Sequence, residues 1–154
     1  MEKFPAVRLV LAGPLDIENK LNKFSSRIER RPFVPRAKHF EDKASVDINV
    51  APLEIGDPYC ESKSELKFFE AGILEVPTVA AATQTFREAI ADGVDGFLAA
   101  NAKGWIEKLE KLIVDENSRE SFGKKARETA LSKYTNQNSR NDEFYGYLKS
   151  IIAK

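Results

Sequence analysis

Apolar positions along this chain fall into short blocks that switch between the period of a strand and the period of a helix. Val7, Leu9, Val10, Leu11 and Ala12 form the first block, closed by Gly13-Pro14, and predict a buried strand over 7–12 that runs into a loop. A helical pattern over 17–24 follows, then a second strand over 27–34 stopped by Pro35, then a polar stretch over 36–44 that predicts a turn of helix carrying His39. Residues 46–53 predict a third strand, and Pro52 and Pro58 bracket a loop beyond it. Over 62–72 the period becomes helical: Leu66, Phe69 and Ile73 make an apolar stripe, and Lys63, Lys67 and Glu70 share the neighbouring face. A strand over 77–81, a helix over 85–91, an Asp92-Gly93 turn and a strand over 96–99 come next.

The last third is helical. Asn101 is a good N-cap residue, and Trp105, Leu109, Leu112 and Ile113 recur at helical spacing, as do Phe122, Ala126, Ala130 and Tyr134. A polar run over 135–142 predicts a joint, and Phe144, Tyr147, Leu148, Ile151 and Ile152 then line one side of a final amphipathic helix, expected to dock on a core. The alternation of strand and helix argues for an α/β fold with a parallel sheet covered by helices. Ligands in such folds sit beyond the carboxyl ends of the strands.

With 154 residues, 42% of them hydrophobic, the chain suits one globular domain with a self-sufficient core. Lys plus Arg and Asp plus Glu each total 24, so no net field steers it toward nucleic acid or an anionic membrane. A single cysteine, Cys60, has no internal disulfide partner, and the start is too short and poorly flanked for a signal peptide, which together suggest the cytoplasm. No apolar run approaches the roughly 20 residues that span a bilayer, and peripheral attachment through another chain stays open.

The chemistry concentrates in Ser62-Lys63-Ser64-Glu65-Leu66-Lys67. Ser62 and Glu65 stand in the S-x-x-E spacing of a capping box, which predicts Ser62 as the N-cap of a helix over 62–72. The free N–H groups of Lys63 and Ser64, the positive end of the helix dipole and the Lys63 ammonium then converge on one anion, with phosphate the first choice. His39 reads as a surface residue, since one histidine with no Cys, Asp or Ser in motif spacing makes neither a metal site nor a triad. Cys60 lacks a base, and Gly13-Pro14-Leu15-Asp16 does not supply the G-x-G-x-x-G loop of a dinucleotide binder. No metal and no cofactor are expected.

The run Asp47-Ile48-Asn49-Val50-Ala51-Pro52-Leu53-Glu54, the helix Lys63-Ser64-Glu65-Leu66-Lys67 through Phe69-Glu70-Ala71, then Val76-Pro77-Thr78-Val79-Ala80, Phe86-Arg87-Glu88-Ala89-Ile90 and Asp92-Gly93-Val94-Asp95-Gly96-Phe97-Leu98-Ala99 resemble one known family. They resemble the nucleotide-sugar-binding half of group-one, GT-B-fold glycosyltransferases, of the bacterial polysaccharide type. The resemblance implies a Rossmann-like parallel sheet flanked by helices over 1–133, and over 134–154 a C-terminal helix packed on it or on a domain outside this chain. It implies a nucleotide-diphospho-sugar as donor substrate, an unknown acceptor and retention of anomeric configuration. Ser62, Lys63, Ser64, Glu65 and Lys67 would meet the donor, with its diphosphate at the helix start and its ribose hydroxyls at Glu70. A carboxylate suits a diol because it accepts two hydrogen bonds, and the helix start lies about 12 Å away at 1.5 Å per residue.

The chain departs from the family pattern in three places. Ser62 stands eight positions before Glu70 where the family has a sugar-contacting glutamate, with Glu61 and Glu65 as near misses. Glu75 stands where a glycine is usual. Family members also carry a strand, loop and helix before the first strand seen here, and a separate acceptor domain. In the usual order that strand is central, so the sheet either closes the gap, takes a strand from another chain, or frays. Partners expected on this basis are the nucleotide-sugar, the complementary domain or a partner chain, and a second copy of this chain. Weak nucleotide binding and little transfer activity are expected of the chain by itself. The competing expectation is a non-catalytic interaction module that works through a partner.

Overall fold

Strands and helices follow one another along the chain in the predicted order. The computed structural model describes residues 1–15, 19–138 and 141–152. In chain order the elements are β1 (Leu9–Ala12), a 3-10 helix (Asn19–Arg27), β2 (Ile28–Arg31), α1 (Arg36–Ala44), β3 (Asn49–Ala51), α2 (Pro58–Glu61) and α3 (Leu66–Gly72). They continue as β4 (Thr78–Ala81), α4 (Gln84–Ala89), β5 (Phe97–Ala99), α5 (Ala102–Val114), α6 (Glu116–Lys133) and α7 (Asp142–Ile152). The helix expected over 17–24 begins outside the described residues and is otherwise a 3-10 helix; the expected polar joint also lies partly outside them.

All strand pairs are parallel, as the β, α alternation requires. They form two sheets rather than one: β1 beside β2, with Leu9 opposite Ile28, and β4 between β3 and β5, with Val79 opposite both Val50 and Phe97. Among the described residues no strand joins β1 to β3, so the gap stands where the family order has its central strand. Residues before β1 do not supply one. The Arg27 guanidinium donates to the carbonyls of Met1, Phe4 and Pro5 at 3.0, 2.9 and 3.0 Å, which holds that segment as irregular chain.

β4 is buried along its whole length, and the core forms on its two faces. On one side Ala80 packs with Ala51, Phe68, Phe86, Ala89, Ile90 and Ala126. On the other Val79 packs with Phe97, Ala99, Leu112 and Phe122, where the Phe97 and Phe122 rings meet at 4.9 Å. Local signals fix the helix starts: Asn101 accepts from the Gly104 N–H at 3.0 Å, and Asp115 from the Ser118 N–H at 3.0 Å.

α3, the helix that carries the candidate site residues, is clamped onto α6 by backbone proximity. A Cβ added at Gly72 would lie 2.8 Å from the Ala126 carbonyl oxygen, and one at Gly123 would lie 2.0 Å from that of Glu75. Phe69 stacks on Tyr134 with ring centroids 4.5 Å apart. Glu75, between the two close approaches, takes φ of +60°, the left-handed conformation in which glycine is the ordinary occupant. The substitution noted at Glu75 therefore changes strain and leaves the path of the chain intact.

The final helix leaves most of its apolar stripe exposed. Phe144, Tyr147, Ile151 and Ile152 are all more than half exposed, Ile152 at 83%. No helix of the described residues is long and apolar enough to cross a membrane.

Candidate functional site

The carboxyl ends of β1, β2 and β3 open onto one cavity of about 620 Å³, the position expected for ligands of a parallel α/β sheet. Ala12 and Gly13 contribute its wall at β1, Pro32, Phe33 and Val34 at β2, and Leu53 beyond β3. One long side is α1, which presents Arg36, His39 and Lys43 to the cavity at spacings of three and four, a single face of one helix. Opposite stand Lys63, Ser64, Lys67 and Glu70.

Glu70 is the buried end of this arrangement. Its side chain is 10% exposed, and Oε2 accepts from Lys43 Nζ at 2.8 Å, a partner that is itself 10% exposed. His39 Nε2 lies 3.4 Å from the same oxygen. Burial pushes the Glu70 carboxyl up, but the hydrogen bond and charge of Lys43, helped by His39, outweigh it and hold the group below the usual carboxylate value. The carboxylate therefore stays ionised at neutral pH although its side chain is nine-tenths removed from solvent.

Of the six residues singled out from sequence, four come together here: Lys63, Ser64, Lys67 and Glu70. Lys63 holds its ammonium 3.5 Å from the centroid of the Tyr59 ring, a close cation–π contact on the cavity wall. Ser62 and Glu65 do not line the cavity, and the capping box is not formed. Asp57 captures the chain first: it accepts from the Cys60 N–H at 2.8 Å, and Pro58 sits at the opening position of α2. Ser62 then closes that short helix, donating its hydroxyl to the Tyr59 carbonyl at 2.8 Å. Helix α3 begins only at Leu66, after a break, so Lys63 and Ser64 lie before the helix and not in its first turn.

Glu65 occupies the N-cap position of α3 without a capping bond. Burial first, then the neighbouring Glu65 carboxylate, push the Tyr134 phenol up to about 12. The other near miss, Glu61, is committed elsewhere. It accepts from the Gly56 N–H at 2.9 Å and the Gln84 N–H at 3.0 Å, and these bonds hold its carboxyl low. Neither glutamate faces the cavity as the second carboxylate of the family pattern.

Sequence reasoning missed His39 and Lys43. The signal was present in the spacing of Arg36, His39 and Lys43 along a short helix, but a basic face on a surface helix ordinarily means solvent. Arg36, one of several scattered arginines, does reach the cavity, whereas Arg30 donates to the Leu15 carbonyl at 2.8 Å and Arg31 to Glu29 at 2.7 Å.

The family pattern described as glycosyl transferases group 1 matches residues 1–115. The chain is 28% identical over 134 residues to the capsular polysaccharide biosynthesis glycosyltransferase CapM of Staphylococcus aureus, covering 85% of this chain and 35% of that protein. It thus spans about a third of the length of that curated relative. Among solved structures, sucrose-phosphate synthase from Thermosynechococcus elongatus superposes with a TM-score of 0.77 at 16% identity, over 99% of this chain and 40% of that one. HepE of Anabaena, solved in complex with UDP, superposes with a TM-score of 0.67 at 20% identity, over 95% of this chain and 42% of that one. These likenesses show the fold.

Proposed function

Because this chain belongs to the group 1 glycosyl transferases, we propose that its cavity is the donor half of a transfer site, binding a nucleotide-diphospho-sugar whose glycosyl group passes to an acceptor held elsewhere. The observation that carries this reading is the ionised, buried Glu70 in one cavity with Lys63 and Lys67. The carboxylate is an acceptor suited to ribose hydroxyls, and the lysines are cations suited to a diphosphate. The helix dipole is not needed, since Lys63 and Ser64 precede α3. Relatives solved with UDP or UDP-glucose support a nucleotide of this kind. Transfer itself needs a cleft that excludes water and stabilises the leaving diphosphate, and one wall of such a cleft is half of it.

Calorimetric titration with UDP and with GDP tests the proposal. Weak binding that falls about 10-fold or more in Glu70→Ala is the expected result. No binding at millimolar nucleotide sinks it.

A second reading, an interaction module that functions through a partner, draws on the unpaired edges of β1 and β3. Under that reading a partner raises nucleotide affinity or binds without nucleotide. Robust turnover by the purified chain excludes it.

A further inference from the structure

Glu70 Oε2 accepts from Lys43 at 2.8 Å and has His39 Nε2 at 3.4 Å, whereas Oε1 accepts no hydrogen bond among the described residues. The carboxylate therefore offers open acceptor directions right beside an ammonium. The donor beside that open acceptor is Lys43. Its ammonium carries three N–H groups, and among the described residues its hydrogen bond goes to Glu70 alone. Lys43 also lines the cavity, with its side chain 10% exposed, so the remaining N–H groups and Oε1 are neighbouring donor and acceptor at its buried end.

We infer that Lys43 is a specificity-determining residue of this pocket, which with Glu70 reads a vicinal diol as an acceptor–donor pair, so that the site selects ribonucleotides over their deoxy forms. The inference rests on the donor-site reading above. One hydroxyl donates to Glu70 Oε1, and the other accepts from Lys43 Nζ. Losing either hydroxyl leaves a buried polar group unmatched, and the cost of an unmatched group is what gives discrimination. Lys43 owes its position to α1, where it stands one turn after His39, and Glu70 owes its position to the clamp of α3 on α6. The diol reader is thus shared between two helices, and α1 contributes to recognition although its sequence carries no motif.

The test is the ratio of dissociation constants for UDP and GDP against their 2′-deoxy and 3′-deoxy forms, measured by calorimetry on the 154-residue chain and on Lys43→Met, Lys43→Gln and Glu70→Ala. A ratio is insensitive to a general loss of folded protein, so it separates recognition from support. The unsubstituted chain is expected to favour one ribonucleotide over at least one deoxy form by about 10- to 100-fold, and Lys43→Met to bring that to within about 3-fold. Lys43→Gln keeps an N–H toward Glu70 and serves if Lys43→Met fails to fold; it is expected to lower the ratio in the same direction. An unsubstituted chain that binds UDP or GDP without preferring the ribose form overturns the inference and leaves the donor site standing. So does a ratio unchanged in the Lys43 variants while Glu70→Ala abolishes binding. Absence of nucleotide binding in the unsubstituted chain overturns both.

Discussion

Lys43 and Glu70 form a buried ion pair that joins α1 to α3, with 2.8 Å between Nζ and Oε2 and both side chains nine-tenths removed from solvent. Breaking such a pair differs from deleting it. Lys43→Met leaves a carboxylate buried with only the more distant His39, and is expected to lower unfolding free energy by about 3 kcal/mol at pH 7. Lys43→Met combined with Glu70→Met removes both charges and is expected to recover most of that loss. Urea denaturation of the two variants checks this, and a double variant no more stable than the single one contradicts it.

The same pair sets a pH dependence. Glu70 is held below its ordinary value, near 4.3 in the unfolded chain, so folding favours its ionised form. The stabilisation is complete above about pH 5 and is lost as pH falls through the lower, folded value. Glu70→Gln cannot titrate there. The gap in urea midpoint between the unsubstituted chain and Glu70→Gln should therefore narrow between pH 7 and pH 3; a gap that stays constant or widens refutes the assignment.

β1, β4 and most helices were legible because a packed parallel strand favours a continuous apolar block and an amphipathic helix needs a 3.6-residue stripe, and both patterns are local. β2, Ile28-Glu29-Arg30-Arg31, carries no such block. Glu70 was legible for a different reason, through the motif around it. The helix start at Ser62 was misread because two capping signals overlap, and Asp57-Pro58 comes first along the chain and takes the Cys60 N–H. Lys43 and His39 were illegible because their meaning lies in α1 meeting α3, a contact between residues 27 and 31 positions apart, which no window of sequence displays. The final stripe, from Phe144 to Ile152, shows the converse. An amphipathic period states that a helix has an apolar face, and it does not state what covers that face.

Two glycines that clamp α3 should be intolerant of a single methyl group. At Gly72 and Gly123 the obstructing atoms are backbone carbonyls, those of Ala126 and Glu75, which cannot swing aside as a side chain would. Gly72→Ala and Gly123→Ala are each expected to cost about 2 kcal/mol or more, with Gly123 the worse because its Cβ would come within 2.0 Å of Glu75 O. Gly146→Ala, in α7 with nothing within 4 Å of the added atom, should be neutral or stabilising by about 0.5–1 kcal/mol. Thermal melts of the three variants rank them, and a Gly123→Ala protein as stable as Gly146→Ala is the outcome that contradicts the clamp.

Between those glycines, Glu75 offers a gain. Its φ of +60° costs a side-chain-bearing residue about 1–2 kcal/mol, and glycine adopts it freely. Against this, Glu75→Gly gives up a half-exposed contact with Arg127 at 3.4 Å, which is worth little, and increases the freedom of the unfolded chain by up to about 1 kcal/mol. The balance favours the substitution by a few tenths of a kcal/mol to about 1 kcal/mol. Glu75→Val places a β-branched side chain in the same conformation and should instead lose stability, since that shape is the least compatible with positive φ. Urea midpoints should therefore rise for Glu75→Gly and fall for Glu75→Val. A fall in both would mean that the Arg127 contact, not the backbone, decides the residue at this turn.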